Sequence, residues 1–238
     1  MTERPQLDPA LFADGPVRDA RFDVKQYWRD MANENVDHDL EFLHRQMAEE
    51  VESIEIAAKN LAEFPDAPWE LRMEIARQAY DEARHVAAFR RLYEQRGGVV
   101  GQFPVLDFQY RIITKINSLA GRLTVANRSF EASGIDAIAD GIANAQKRGD
   151  AEYEALFDQQ LADEIQHVRY ANEWVPKLVA AGGPRAVFDM ARAVASADAA
   201  FRLVAGEAMV SYPVAGDIRR EAGFDEAEIE TARRFASQ

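Results

Sequence analysis

Two of the four histidines in the chain close near-identical segments, Gln78-Ala-Tyr-Asp81-Glu82-Ala-Arg-His85-Val86 and Gln160-Leu-Ala-Asp163-Glu164-Ile-Gln-His167-Val168, which agree at five of nine positions. Random placement of the 41 acidic residues among 238 gives about 0.12 histidines preceded by acids at both −3 and −4. Two are found. A third Glu-x-x-His, Glu41 to His44, lacks the preceding Asp and serves as a control. On a helix, positions i and i+3 share a face, so each Glu-x-x-His pair can offer one oxygen and one nitrogen to a single point. That is metal-ligand chemistry.

The helices that must carry these pairs are legible from their apolar spacing and from where Pro and Gly interrupt it. Residues 1–36, with Pro5, Pro9 and Pro16, read as an irregular arm. From Asp37 to Phe64, Leu40, Leu43, Met47, Val51, Ile54, Ala58 and Leu61 recur every three or four residues, which predicts a first helix. Asp66 and Pro68 read as the cap and first turn of a second, stopped by Gly97-Gly98. Residues 99–107 read as a crossover. A third helix is expected from Ile112 to Phe130, with Gly134 just past its end, and a fourth from Asp150 to Gly182-Gly183. Another helix is expected over 184–205, then a short one behind the Asp225/Glu228 capping box. No stretch alternates with period two. The expectation is an all-α protein: a four-helix bundle over 37–181 with additional C-terminal helices over 182–238.

Helical projection separates site from surface. Glu82 and His85 straddle the Leu71/Ile75/Phe89 stripe, and Glu164 lies within the Leu161/Val168/Val175 stripe with His167 at its edge. Glu41 points away from the apolar face of its helix. The third helix has one acid between Phe108 and Ile135, Glu131. On the first helix, Glu50 falls on the apolar face, Glu49 and Glu52 project towards solvent, and Glu55 is intermediate. Glu50 precedes Glu82 by 32 residues and Glu131 precedes Glu164 by 33, so the chain reads as two copies of one helical hairpin. Four carboxylates and two imidazoles would then meet at one midpoint, where unpaired ionised carboxylates would each cost several kcal/mol. Two divalent cations would cancel that charge. With oxygen and nitrogen donors and no cysteine, the set favours iron or manganese, and Asp81 and Asp163 are placed to accept hydrogen bonds from the ligand histidines across the bundle.

This pattern resembles the ferritin-like di-metal carboxylate superfamily. The resemblance covers residues 37–181, and the paired Asp-Glu-x-x-His is its specific part. Asp-Glu-Ala-Arg-His at 81–85 is similar to the motif of bacterial multicomponent monooxygenases. Phe-Glu-Ala-Ser-Gly-Ile-Asp at 130–136 and the tail segment at 211–224 resemble an uncharacterised ferritin-like branch. The resemblance implies Glu50, Glu82 and His85 on one ion and Glu131, Glu164 and His167 on the other, some glutamates bridging. It further implies a di-iron oxidase or oxygenase that activates O2 to oxidise a small organic substrate. Electrons would come from that substrate or from a separate ferredoxin or reductase. A ferroxidase or iron-binding ferritin-like protein and a manganese catalase or peroxidase are the alternatives.

The remaining composition narrows partners. A net charge of −13 opposes a nucleic-acid partner, and zero cysteines exclude disulfides and thiolate-ligated centres in this chain. The N-terminus has no continuous apolar core and no run approaches a membrane span, so no membrane contact and a cytoplasmic location are expected. Tyr80, Tyr110, Tyr170 and Trp174 read as packing residues. Arg111, Lys115, Arg122 and Arg128 read as partners for the acidic excess. The arm and tail are suited to a lid or a homodimer contact, and composition does not choose between them.

Overall fold

A computed structural model describes residues 24–205 and 212–236, and among them the chain is all-helical with no strand. The first long helix, α2 (His38–Glu63), starts where Asp37 accepts a hydrogen bond from the Leu40 N–H at 3.0 Å, and ends at Phe64. Helix α1 (Val24–Met31) precedes it, so the expected irregular arm contains a helix, and residues 32–36 are turns and bends; residues 1–23 lie outside the description. Helix α3 (Trp69–Gln95) begins after Pro68, and Asp66 does not cap it. At its far end Gly97, at φ 88°, and Gly98 turn the chain while their N–H groups bond back to Glu94 and Tyr93.

The expected third helix is broken. Helix α4 (Phe108–Ile113) stops, and α5 (Leu119–Val125) starts afresh because the Ser118 hydroxyl caps Gly121 N–H at 3.2 Å. The Arg122 guanidinium takes up the Ile116 and Thr114 carbonyls, at 2.8 and 3.1 Å, that a continuous helix would have used. A π-helical turn over Ala126–Glu131 leads into α6 (Ala132–Arg148). Gly134 is therefore inside a helix, and the terminating glycine is Gly149, left-handed at φ 67°. Asp150 caps α7 (Ala151–Ala205) by accepting from Tyr153 N–H at 3.2 Å, and Arg96 from the end of α3 pairs with it at 2.8 Å. Gly183, non-helical at φ 66°, kinks α7 at the boundary the sequence marks.

Packing joins these elements in two antiparallel hairpins. Leu43 and Met47 near the start of α2 meet Phe89 and Leu92 near the end of α3, while Ala57 meets Leu71 and Ile75 at the opposite ends. In the second hairpin Ile138 and Ala145 of α6 meet Tyr153 and Phe157 of α7, and Ala132 and Ile135 meet Ile165 and Val168. Helix α3 packs on α7, which brings the hairpins together. Residues 184–205 are less of an appendage than the sequence implied, since Ala197 is buried against Ile56, Ile113 and Ala126. Behind α6, α8 (Gly216–Glu221) is held by Arg219, whose guanidinium grips buried Asp136 with two bonds of 3.0 and 2.7 Å. That pair links the 130–136 segment to the 211–224 tail. Helix α9 (Glu226–Ala236) follows the Asp225/Glu228 reciprocal cap, as expected. No described helix is long and apolar enough to cross a membrane.

Candidate metal centre

The two hairpins bring all six expected ligands to one buried place. Glu50, Glu82, His85 and Glu164 present donor atoms within 4.8 Å of one another, and so do Glu82, Glu131 and His167. Glu82, 1% exposed, belongs to both groups. The partition implied by resemblance changes in one respect: Glu164 gathers with the Glu50/Glu82/His85 group, while the Nδ1 atom of His167 also lies 3.5 Å from it. His85 points Nδ1 at Glu82 (3.0 Å), Glu50 (3.4 Å) and Glu164 (3.5 Å). The Nδ1 atom of His167 faces Glu82 and Glu164, each at 3.5 Å.

The outer nitrogens are bound crosswise. His85 Nε2 lies 3.2 Å from Asp163, and His167 Nε2 lies 3.4 Å from Asp81, so each motif's Asp holds the other motif's imidazole, as the sequence suggested. Such a bond keeps the outer nitrogen protonated and directs the Nδ1 lone pair inward. Arg84 ties the two aspartates together, at 2.6 Å to Asp81 and 2.8 Å to Asp163. Burial works against ionising Asp81, but its bonds to His167 and Arg84 outweigh that and hold it well below the usual carboxylate range.

Two residues with defined work were not singled out from the sequence, although both stand first in the matched segments. Gln78 Nε2 donates to Glu82 at 3.0 Å and also to Glu131, while Gln160 Nε2 donates to Glu50 at 2.6 Å. Each glutamine thus steadies a carboxylate from the opposite hairpin. Glu131 also accepts from Asn127 at 2.8 Å. The π turn that contains both residues explains how Glu131 arrives here: i+5 bonding underwinds the helix and shifts Glu131 from the direction a regular α-helix would give it.

Electrostatics shows what the arrangement lacks. Burial, reinforced by Glu164 and Glu82, pushes the Glu131 carboxyl well above its ordinary value despite opposition from His167, and burial with nearby Glu50 raises Glu82. Burial disfavours a charged His85, yet bonds to Glu50 and Glu82 and the charges of Glu50 and Glu164 push it up to about 11. His167 is raised against burial by Glu82, Asp81 and Glu164. Four carboxylates face two imidazoles, and the His167 Nδ1 atom has no hydrogen-bond partner. Donor atoms bound at about 2.1 Å to one ion stand roughly 3–4 Å apart, which matches the separations here. Oxygen and imidazole donors of this kind fit two divalent ions.

The control pair behaves differently from its projection. Glu41 and His44 are both buried, where the sequence placed Glu41 facing outward. Glu41 accepts from Tyr27 of α1 at 2.5 Å and pairs with Arg45 at 3.0 Å, and His44 accepts from Gly101 N–H at 3.1 Å. Glu52, also expected in solvent, is buried and caps α4 through Tyr110 N–H at 2.8 Å. Of the basic residues on the third segment, Arg111, Arg122 and Arg128 pair with Asp107, Glu63 and Glu228.

A cavity of about 390 Å³ opens beside the cluster, within the range of small-molecule pockets. Glu50, Glu82, Glu131 and Glu164 form its inner end, Phe42, Phe130 and Phe157 its walls, and exposed Asp39 and Arg148 its mouth.

Fold and site together define an all-helical protein with a buried carboxylate–imidazole cluster able to hold metal. The chain belongs to the family described as "Protein of unknown function (DUF455)", which it matches over residues 5–230. No curated protein and no solved structure matches it.

Proposed function

We propose that the chain is a ferritin-like di-metal oxidoreductase, an oxidase or oxygenase that couples O2 to oxidation of a small organic molecule in the cavity beside the cluster. One observation carries the reading: two Asp-Glu-x-x-His segments converge through shared Glu82 and hold each other's histidines, with an apolar-walled cavity ending on the same carboxylates. Storage of iron needs no such organic-sized space beside the cluster.

Glu50, Glu82, Glu131, Glu164, His85 and His167 would hold two iron or manganese ions. Bound there, the ions supply the redox chemistry that O2 requires, with electrons drawn from the substrate or from a separate reductase. The chain itself does the positioning. Asp81 and Asp163 fix the imidazole tautomers, Gln78 and Gln160 restrain the carboxylates, and the three phenylalanines offer apolar surface to an organic substrate beside the cluster.

The test is elemental analysis of protein purified without chelator, followed by O2 uptake after anaerobic reduction. About two iron or manganese ions per chain are expected, lost in a His85→Ala/His167→Ala variant, with O2 uptake in the wild type alone. A metal-free wild type that takes up neither ion refutes the reading. Assembly into a mineral-filled shell, or rapid peroxide turnover by the manganese form, would replace it with storage or catalase activity.

A further inference from the structure

The two halves of the centre match in their ligands but differ in how their glutamines are completed. Gln78 is satisfied at both ends: its Nε2 donates to Glu82 and Glu131, and its Oε1 accepts from the Tyr170 phenol at 2.5 Å and from Asn127 at 3.0 Å. Gln160 spends its Nε2 on Glu50, but its Oε1 is buried with no partner. The amide cannot be turned round to cure this, because its oxygen would then face the Glu50 carboxylate.

The missing partners can be named from the repeat. The position of Tyr170 corresponds, 82 residues earlier, to Ala88, and that of Asn127, 81 residues earlier, to Gln46, whose amide already donates to Glu49 at 2.8 Å. Where one half holds a phenol against its glutamine, the other has the methyl group of Ala88 at the corresponding position. The cavity lies on this second side, with Gln160 among its lining residues. Helix α6 keeps it open: Gly134 lines it, and a Cβ added there would meet nothing within 4 Å.

We infer that the cavity binds a neutral aromatic hydroxyl compound, its ring between the phenylalanine walls and its O–H donated to Gln160 Oε1, as Tyr170 donates to Gln78. The inference rests on the catalytic reading above and names the substrate class of that same site. The cavity's acidic lining, relieved by Arg148 at the mouth, disfavours an anionic compound. A buried acceptor that a ligand leaves unpaired is the strong kind of discriminator.

Calorimetric titration of the purified protein under argon, with metal content measured on the same samples, tests this. The probes are 4-ethylphenol, 4-ethyltoluene, which replaces the hydroxyl by a methyl group, and 4-ethylbenzoate. Wild type should bind 4-ethylphenol at least tenfold more tightly than either other probe. Gln160→Met should bring the phenol and toluene affinities within about twofold. Gly134→Leu, which fills the cavity from a helix position that favours Leu over Gly, should abolish binding with metal content unchanged. Equal binding of phenol and toluene, preference for the benzoate, no binding of any probe, or undiminished binding by Gly134→Leu overturns the inference. If metal is present and the phenol is not preferred, the substrate class fails and the di-metal reading stands. If the phenol is preferred by protein that takes up no metal, the oxidoreductase reading fails and the binding site stands.

Discussion

Glu41 and His44 on α2 have the same spacing as Glu82–His85 and Glu164–His167, and all six residues are buried. What separates them is charge. Glu41 brings its own cation, Arg45, and a phenol from Tyr27, while burial, working against nearby Glu41, holds His44 below its ordinary imidazole value between the rings of Tyr93 and Phe103. His44 then works as a neutral core residue that fastens the 97–107 crossover to α2 through Gly101. At the centre, the nearest arginine, Arg84, is engaged by Asp81 and Asp163, and four carboxylates are left with two histidines. Burial and motif are common to both places. A surplus of buried negative charge belongs to one, and that surplus asks for cations.

Two imidazole deletions break or uphold this comparison most directly. Metal at about a thousandfold excess over its Kd should stabilise the wild type by about 4 kcal/mol in denaturant unfolding. His167→Ala should lose most of that increment. His44→Ala should keep it while lowering the metal-free baseline, because a packed ring and its bond to Gly101 are removed. If His44→Ala loses the increment and His167→Ala retains it, the roles are reversed.

Carboxylate neutralisation should give a somewhat smaller contrast. Glu41→Gln removes one of the two carboxylates that face Arg45, leaving Glu49 at 3.4 Å, and should cost the metal-free protein about 2 kcal/mol. Burial and the neighbouring Glu164 and Glu82 disfavour the charged form of Glu131, so Glu131→Gln, which removes that charge and keeps the shape of the side chain, should change the stability of the metal-free protein by less than about 1 kcal/mol. Urea unfolding of both variants in chelator decides; a loss of about 3 kcal/mol in Glu131→Gln would mean that an ionised carboxylate is needed there without metal.

The extent to which sequence exposed this contrast follows from what each signal measures. Asp37 as the cap of α2, Gly97-Gly98 as the end of α3 and Asp150 as the cap of α7 were legible because capping is local chemistry. The six metal-ligand candidates were legible because the motif repeats. Gly134 misled because a glycine that keeps a cavity open looks, in one dimension, like one that stops a helix. Glu41 and Glu52 were read as solvent-facing because projection assumes one buried stripe per helix, whereas Tyr27 of α1 and Tyr110 of α4 cover other faces of α2. The break at Ser118 and the π turn that ends at Glu131 involve partners distant in the chain, Asn60 and Glu63 for Arg122 and the His167 carbonyl for Asn127, which no periodicity records.

The pH dependence gives the smallest effect and separates the two places by sign. In the metal-free protein His85 titrates near 11 and His167 is also raised, against about 6.5 when unfolded. Above pH 6.5 the native state therefore holds protons that the unfolded chain has released, so stability falls as pH rises and the contribution is gone once pH passes the folded value. The slope is about 1.4 kcal/mol per pH unit for each histidine that stays protonated. His44, lowered by burial, acts in the other window: the unfolded chain takes up its proton first, so stability falls as pH drops below 6.5. Urea unfolding from pH 5 to 9 in chelator should show the upper limb, shallower by about 1.4 kcal/mol per unit in His85→Ala; below pH 6.5, where the raised Glu82 and Glu131 carboxyls act against His44, the His44 contribution is read as the difference between wild type and His44→Ala. Adding Mn(II) should remove the upper limb, since bound metal requires deprotonated imidazoles and its affinity rises with pH. A flat profile between pH 7.5 and 9 in chelator would mean that the imidazoles are neutral without metal, and the charge surplus would then be met by protons on the carboxylates alone.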